Sequence, residues 1–274
     1  MPADIRKRRF RRKKWRKWEE GEVPLGAYIV PNLFTTANLL SGFFGIVSSI
    51  KGDFHSAAFA VLISNVFDIL DGKVARLTHA TSRFGVEYDS LADLVAFGVA
   101  PGILIYLWGL KDFERLGWLA AFVFVACGAL RLARFNVQVE VSSKKYFTGL
   151  PIPGAATMVA TTVLFLDSWR VAPVAIIKPS LLIMTYVLGF LMVSTIPFFS
   201  FKDVEVLKAK PIPVLFGVII LVTIVAIEPA AMLFGMLVVY LLSGPLGYLW
   251  RRTRGEPPKD AGGATENPKV DQVE

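Results

Sequence analysis

Cysteine, histidine and charge are all scarce in this chain of 274 residues. A single cysteine, Cys127, excludes an intramolecular disulfide and gives no sign of an oxidising compartment. The two histidines, His55 and His79, have no ligand-like spacing to the acidic residues, and we expect them to be ordinary interface residues. Charged residues make up 19% of the chain, against about 25% in an average soluble domain. Because 54% of the residues are hydrophobic and the mean hydropathy is +0.54, the composition indicates a membrane protein.

The positive charge of the chain is concentrated near its N-terminus. The stretch RKRRFRRKKWRK, from Arg6 to Lys17, holds ten of the thirty lysines and arginines. With Phe10, Trp15 and Trp18 interleaved, it forms a basic amphipathic segment suited to anionic lipid headgroups, at about 1 kcal/mol per basic residue. Nucleic-acid binding is the rival interpretation, but a basic run beside a membrane span mostly sets topology. We therefore predict a membrane partner and no nucleic acid.

The rest of the chain predicts an all-α polytopic membrane protein with about eight transmembrane helices. About 20 mostly apolar residues cross a bilayer, and such stretches lie near residues 33–50, 56–77, 88–110, 116–136, 153–168, 177–200, 212–228 and 230–249. Together with the basic N-terminal run, alternate connections carry more lysines and arginines than the others do, which places both termini in the cytoplasm. We predict a multi-pass protein of the cell membrane with a cytoplasmic basic segment (1–30), a transmembrane catalytic domain (31–250) and a disordered cytoplasmic tail (251–274).

Four aspartates interrupt this apolar pattern in FDILDGKVARLTHATSRFGVEYDSLAD, from Phe67 to Asp93. At about 100° per residue, Asp68 and Asp71 fall on one face of the second helix. Asp89 and Asp93 follow Gly85 at intervals of four and lead into the third helix. We expect a short loop near residues 78–87 to bring the two acidic faces together at the cytoplasmic end of the helices. The first face also carries Gly72, Ala75 and Arg76.

Clustered carboxylates repel one another unless a cation lies among them. Because ionised groups in membrane segments are costly, they are functional by default. Oxygen ligands without cysteine or histidine favour Mg²⁺ or Mn²⁺ over zinc. Gly72 and Ala75 would let a bulky ligand approach the helix closely, although small residues also serve plain helix packing. The pattern indicates a pocket for a metal-bound phosphorylated headgroup.

The spacing DxxDGxxAR, then eight residues, then GxxxDxxxD, running from Asp68 to Asp93, resembles the complete signature of the CDP-alcohol phosphotransferases. These are integral membrane enzymes of phospholipid synthesis. The resemblance implies two divalent metal ions held by the four aspartates, with Asp93 also acting as the general base. It further implies a homodimer and a bound CDP-lipid. For that lipid we predict contacts with Gly72, Ala75, Arg76, Ser82, Gly85 and Asn38.

Three further stretches resemble the phosphatidylserine synthase branch of the family: YDSLADLVAFGVAP, CGALRLARFNV and YFTGLPIPGAA. This resemblance implies that CDP-diacylglycerol and L-serine are the substrates and CMP is released. Transfer to glycerol phosphate or an inositol phosphate is the nearest alternative, and a membrane prenyltransferase is a more distant one. A divalent cation transporter is the alternative of another class, but it should carry acids near mid-membrane.

Polar residues on other helices are candidates for the remaining contacts. Arg131 and Arg134 lie three apart, on one helical face, and arginine suits the bidentate binding of a carboxylate such as that of serine. Anchoring of the helix end is an equally good explanation. Asn32, Thr36 and Asn38 are expected to open the first helix, with N-capping as the default role and contact with the nucleotide as the alternative. Finally, Pro151 and Pro153 are expected to fix the loop before the fifth span, either as a wall of the pocket or simply to stiffen the loop.

Overall fold

A computed structural model describes residues 25–78, 82–139, 147–169, 177–198, 223 and 228–253 of the chain. These residues are almost entirely helical, as predicted. Most of the basic segment, of the predicted span at 212–228 and of the polar tail lie outside the described residues, and so does His79. The prediction of eight spans therefore stays a prediction.

The described elements include eight α-helices, two wider π-helical segments, called π1 and π2, and one short 3₁₀ turn. Along the chain they are α1 (Leu25–Ile50), α2 (Phe54–Thr78), α3 (Arg83–Asp93), π1 (Leu94–Val99), α4 (Ala100–Ile105), π2 (Tyr106–Leu110), the 3₁₀ turn (Lys111–Phe113), α5 (Glu114–Val139), α6 (Ile152–Ser168), α7 (Ile177–Val193) and α8 (Pro229–Thr253). Two strands of two residues each, β1 (Phe147–Thr148) and β2 (Pro197–Phe198), pair antiparallel beside α8.

Three described helical runs are long and apolar enough to cross a membrane: Ile29–Ile50, Phe84–Val137 and Pro229–Tyr248. The second has 54 residues, which would extend about 80 Å if straight, far beyond a bilayer core of about 30 Å. It reverses at Glu114, whose φ of 46° and ψ of −112° break the helical path. A Cβ at Gly117 would overlap the carbonyl oxygen of Leu110, so the reversal needs glycine there. The run is thus a helical hairpin, as the separate predicted spans at 88–110 and 116–136 require.

Two predicted helix starts are wrong. α1 begins at Leu25 rather than near residue 33, so Asn32, Thr36 and Asn38 lie inside the helix and are not N-caps. Pro31, which normally disrupts a helix interior, is accommodated within α1. α3 begins at Arg83 rather than near residue 88, because the hydroxyl oxygen of Ser82 accepts a hydrogen bond of 2.9 Å from the Gly85 amide and caps the helix.

Close packing between α1 and π1 brings a polar residue of α1 next to the last of the four aspartates. A Cβ added at Gly42 would lie 2.6 Å from the Cα of Ala96, so the helices touch backbone to backbone. Asn38 precedes Gly42 by about one turn, and Asp93 directly precedes π1. This contact therefore places Asn38 beside Asp93.

Large apolar side chains cover much of the outer surface. Leu40 is 66% exposed on α1, Phe122 is 60% exposed on α5 and Val239 is 70% exposed on α8. A soluble monomer rarely exposes so much contiguous apolar surface. Lipid contact explains the exposure, and the fold is that of a membrane protein.

Candidate active site

Three aspartates from α2 and α3 converge, as the spacing predicts. One carboxylate oxygen from each of Asp68, Asp71 and Asp89 lies within 4.8 Å of the others. Asp71 is buried, and Asp68 and Asp89 are partly buried. We call these three residues the acidic cluster. Asp68 and Asp89 are 21 positions apart in sequence, and four residues separate the end of α2 from the start of α3.

Helix α1 also contributes to the site, because Thr35 and Asn38 donate hydrogen bonds to two of the aspartates. The Thr35 hydroxyl donates a hydrogen bond of 3.3 Å to Oδ2 of Asp71. The Asn38 amide nitrogen donates one of 2.9 Å to Oδ1 of Asp93. Both side chains are buried, Asn38 completely. Thr35 is a site residue that we did not predict, although its position three residues before Asn38 puts both side chains on one face of α1.

Asp93 is set apart from the other three aspartates. It is only 9% exposed, and no carboxylate oxygen of it belongs to the acidic cluster. The charges of Asp68, Asp89 and Asp71 nevertheless act on it. Asp93 lies one helical turn beyond Asp89 on α3, and Asn38 holds its carboxylate. Its position therefore differs from the positions of the three aspartates in the acidic cluster.

An open cleft lies beside the acidic cluster. Its lining includes four of the residues that we predict to contact the CDP-lipid: Gly72, Ala75, Ser82 and Gly85. It also includes Asp71 and Asp89, together with Pro31, Asn32, Thr35 and Val86. The cleft therefore brings the small residues of α2 and α3 and two of the carboxylates to one surface.

The other two predicted lipid contacts, Arg76 and Asn38, do not line the cleft. Arg76 is exposed, and its guanidinium folds back so that Nη2 would be 3.9 Å from a Cβ on Gly72. Asn38 lies behind Asp93 and is absent from the lining of the cleft. Asn32 does line the cleft. We predicted N-capping as its default role and contact with the nucleotide as the alternative.

The donors of the acidic cluster fit a hard divalent cation. They are carboxylate oxygens at the separation that a shared ion needs, and the cluster contains no sulfur or imidazole donor. Oδ1 of Asp89 is buried without a hydrogen-bond partner among the described residues. A buried acceptor left unpaired is costly, and a bound ion would satisfy it. Asp68, Asp71 and Asp89 could therefore hold a metal ion.

Of the two predicted serine-binding arginines, the structure brings Arg131 toward the site. Arg131 lies on α5, is 9% exposed and is within electrostatic range of Asp93. Its Nε has no hydrogen-bond partner among the described residues. Arg134 instead donates a bond of 3.4 Å from Nη1 to the carbonyl oxygen of Val193. The two residues thus share a face of α5 but differ in their contacts.

Fold and site together define a helical membrane protein with a carboxylate cluster beside a cleft that small residues keep open. Residues 28–191 match the sequence profile of the CDP-alcohol phosphatidyltransferases, and the chain belongs to this family. The matched region contains all four aspartates, Thr35, Asn38 and Arg131.

Several proteins with assigned activities are similar to this chain. A CDP-diacylglycerol–serine O-phosphatidyltransferase of Helicobacter pylori is 37% identical over 223 residues, which is 81% of this chain and 92% of the relative. One of the same name from Methanocaldococcus jannaschii is 31% identical over 80% of this chain and 94% of its own length. An archaetidylserine synthase of Methanothermobacter thermautotrophicus is 43% identical, over 48% of this chain and 56% of the relative.

Proposed function

We propose that this protein is a phosphatidylserine synthase, which transfers a phosphatidyl group from CDP-diacylglycerol to the hydroxyl of L-serine and releases CMP. The observation that carries the proposal is its 37% identity, over 81% of the chain, to a relative of that name. The acidic cluster and the cleft give the assignment a physical basis, because the reaction needs a site for a diphosphate at the membrane surface.

The proposed metal content is two divalent ions, Mg²⁺ or Mn²⁺. Asp68, Asp71 and Asp89 are the proposed ligands, with Asp93 as the additional one that the family resemblance implies. When bound, such ions neutralise the charge that develops on a diphosphate during displacement. The small residues Gly72 and Ala75 leave room for the nucleotide, and Ser82 fixes the start of α3 at the edge of the cleft.

The proposed chemistry is a displacement at phosphorus with Asp93 as general base. The serine hydroxyl attacks the phosphorus that bears diacylglycerol, and its proton passes to the carboxylate of Asp93. A new oxygen–phosphorus bond forms while the bond to CMP breaks, and CMP leaves with the electron pair. Asn38 serves this step by holding Oδ1 of Asp93, which fixes the orientation of the carboxylate. General-base assistance of this kind contributes about 10²- to 10⁴-fold.

The proposed setting is the cytoplasmic face of the cell membrane. The basic residues near the N-terminus and in alternate connections support cytoplasmic termini and binding of the basic segment to anionic lipids. The donor should enter the cleft sideways, because removing acyl chains from a bilayer costs about 0.8 kcal/mol per CH₂. The proposed assembly is a homodimer, for which the family resemblance is the support.

A panel of acceptors tests the proposed function. Purified protein is incubated with CDP-diacylglycerol, Mg²⁺ or Mn²⁺, and labelled L-serine, glycerol phosphate, inositol phosphate or inositol. We expect CMP and a new lipid with L-serine alone. A lipid product with glycerol phosphate but not with serine would replace the proposed acceptor, and the release of no CMP with any alcohol would contradict the transferase assignment.

The Arg131→Ala variant tests the serine pocket. We expect the KM for L-serine to rise at least tenfold, because a buried guanidinium that binds a carboxylate is worth about 1.5–3 kcal/mol, while the KM for CDP-diacylglycerol changes less than threefold. Steady-state kinetics with each substrate varied in turn measures both constants. The matched control is Arg134→Ala, since that side chain contacts the carbonyl of Val193 instead. An unchanged serine KM in Arg131→Ala would remove this residue from the acceptor pocket.

A further inference from the structure

Helix α1 forms a side-chain hydrogen bond to α3 that the proposed chemistry does not use. The hydroxyl oxygen of Thr36 and the phenol oxygen of Tyr88 are 3.0 Å apart. Tyr88 directly precedes Asp89 of the acidic cluster, but its ring stacks on Phe84, with the two ring centroids 5.9 Å apart. Neither Thr36 nor Tyr88 lines the cleft. The pair therefore joins two helices of the site without presenting a ligand to it.

The direction of this hydrogen bond follows from a second contact of Thr36. A threonine hydroxyl has one hydrogen to donate and two lone pairs that accept. Thr36 donates its hydrogen to the backbone carbonyl oxygen of Asn32, at 2.8 Å. Tyr88 must then be the donor to Thr36. The result is a chain of two hydrogen bonds from the phenol of Tyr88 through Thr36 to the backbone of Asn32, which we call the tyrosine relay.

The tyrosine relay ends on a turn of α1 that a proline weakens. Pro31 directly precedes Asn32 and has no N–H, so one backbone hydrogen bond of this part of the helix is missing. Both residues line the cleft. On the α3 side, a Cβ at Gly85 would lie 3.5 Å from Oδ1 of Asn32, so the two helices are close at this level. A small movement of the weakened turn would therefore change the shape of the cleft.

We infer that Tyr88 is a positioning residue for the donor lipid. Through the tyrosine relay, its hydroxyl holds the turn of Pro31 and Asn32 in place relative to α3, and so maintains the cleft that receives CDP-diacylglycerol. The inference rests on the proposed function, which puts this donor in the cleft. Its effect should fall on donor binding and spare the chemical step, because the hydrogen bond between Asn38 and Asp93 is separate from the relay.

Tyr88→Phe removes the hydroxyl and keeps the ring that stacks on Phe84. We expect the affinity for CDP-diacylglycerol, measured by equilibrium binding, to fall about three- to tenfold, which is typical for the loss of one uncharged hydrogen bond. The kcat at saturating donor and the Mn²⁺ affinity of the donor-bound enzyme should stay within about twofold, because no aspartate of the site loses its hydrogen-bond donor. A fall in kcat or in Mn²⁺ affinity as large as the fall in donor affinity would indicate general loosening and overturn the inference.

Substitutions of Thr36 test whether the effect passes through the tyrosine relay. Thr36→Ser keeps the hydroxyl, and its donor affinity should stay within about twofold of the wild-type value. Thr36→Val should weaken donor binding at least as much as Tyr88→Phe does, because it breaks both hydrogen bonds of the relay. Adding Tyr88→Phe to Thr36→Val should cause no further loss, since residues of one hydrogen-bond network are not additive. Losses that add would show independent roles and overturn the relay.

Tyr186→Phe is the matched control. The Tyr186 hydroxyl also bonds between helices, since it donates from α7 to the carbonyl oxygen of Leu116 on α5 at 3.3 Å, outside the candidate site. Its donor affinity should equal that of the wild type, and thermal unfolding checks the fold of every variant. A wild type that forms the serine product, combined with unchanged donor affinity in Tyr88→Phe and Thr36→Val, overturns the inference alone. A wild type that neither binds CDP-diacylglycerol nor releases CMP overturns the proposed function and the inference with it.

Discussion

Asp93→Asn is expected to abolish most of the turnover while CDP-diacylglycerol still binds. The carboxamide cannot accept the proton of the attacking hydroxyl, so the rate should fall about 10²- to 10⁴-fold. The substitution is nearly isosteric, and its carbonyl oxygen can still accept the bond from the Asn38 amide nitrogen. The fold and the nearby acidic cluster should therefore persist, and the affinity for CDP-diacylglycerol should change less than threefold.

Three measurements on one preparation check this result: CMP release, equilibrium binding of CDP-diacylglycerol and thermal unfolding. The control is Asp53→Asn, an identical chemical change at an exposed aspartate between α1 and α2. Its Oδ1 accepts a bond of 3.0 Å from the Ser56 amide, and asparagine can keep that contact. Asp53→Asn should retain wild-type turnover. Near-normal CMP release by Asp93→Asn would show that another group, or water, takes the proton.

The acidic hairpin could be predicted from sequence because its determinants are local. Asp68 and Asp71 lie three apart on one helix, and Asp89 follows after a short connection, so helical periodicity and one turn suffice to bring them together. The same applies to Gly72, Ala75 and Gly85, whose places on the helices put them in the cleft. Local spacing also predicted most of the helices, since long apolar runs give a strong signal.

The contribution of α1 could not be predicted, because it depends on tertiary packing. Thr35 reaches Asp71 across 36 positions, and Asn38 reaches Asp93 across 55. No periodicity within α1 specifies which helix its polar face meets. The backbone contact between Gly42 and Ala96 places that face against the end of α3 and the start of π1. The hydrogen bond from Asn38 to Asp93 was not predicted, and the predicted contact of Asn38 with the CDP-lipid stays a prediction.

The backbone after Asp93 is a second feature that the apolar pattern does not encode. We predicted one regular span over residues 88–110, but the described chain changes from α- to π-helix at Leu94 and again at Tyr106. π-helical turns often occur at functional sites. Here π1 begins immediately after the proposed base and contains Ala96, on which α1 packs. Hydrophobicity alone does not distinguish these turns from ordinary helix, because each remains apolar.

Removing one carboxylate from the acidic cluster should abolish the uptake of divalent ions. Asp71→Asn and Asp89→Asn are expected to weaken Mn²⁺ binding by more than the 10- to 100-fold that loss of an outer-shell partner typically costs, because each residue is proposed to contact the ion directly. Turnover should be lost in parallel, and chelation of the wild-type enzyme should stop CMP release until Mg²⁺ or Mn²⁺ is restored.

Thr35→Val distinguishes a metal site from a cluster that only shapes the cleft. Valine has nearly the volume of threonine but cannot donate to Oδ2 of Asp71, so Mn²⁺ affinity should fall about 10- to 100-fold, less than in Asp71→Asn. The control is Thr185→Val, since that buried hydroxyl donates its hydrogen bond to the carbonyl oxygen of Leu181 within α7, away from the acidic cluster. Electron paramagnetic resonance of Mn²⁺ with CDP-diacylglycerol present measures binding independently of activity.

The Mn²⁺ affinity should decrease in the order wild type, Thr35→Val, Asp71→Asn. This order follows only if Asp71 is a ligand whose orientation Thr35 maintains. Equal Mn²⁺ affinity in all three proteins would mean that the ion binds elsewhere. The carboxylates of α2 and α3 would then only shape the cleft.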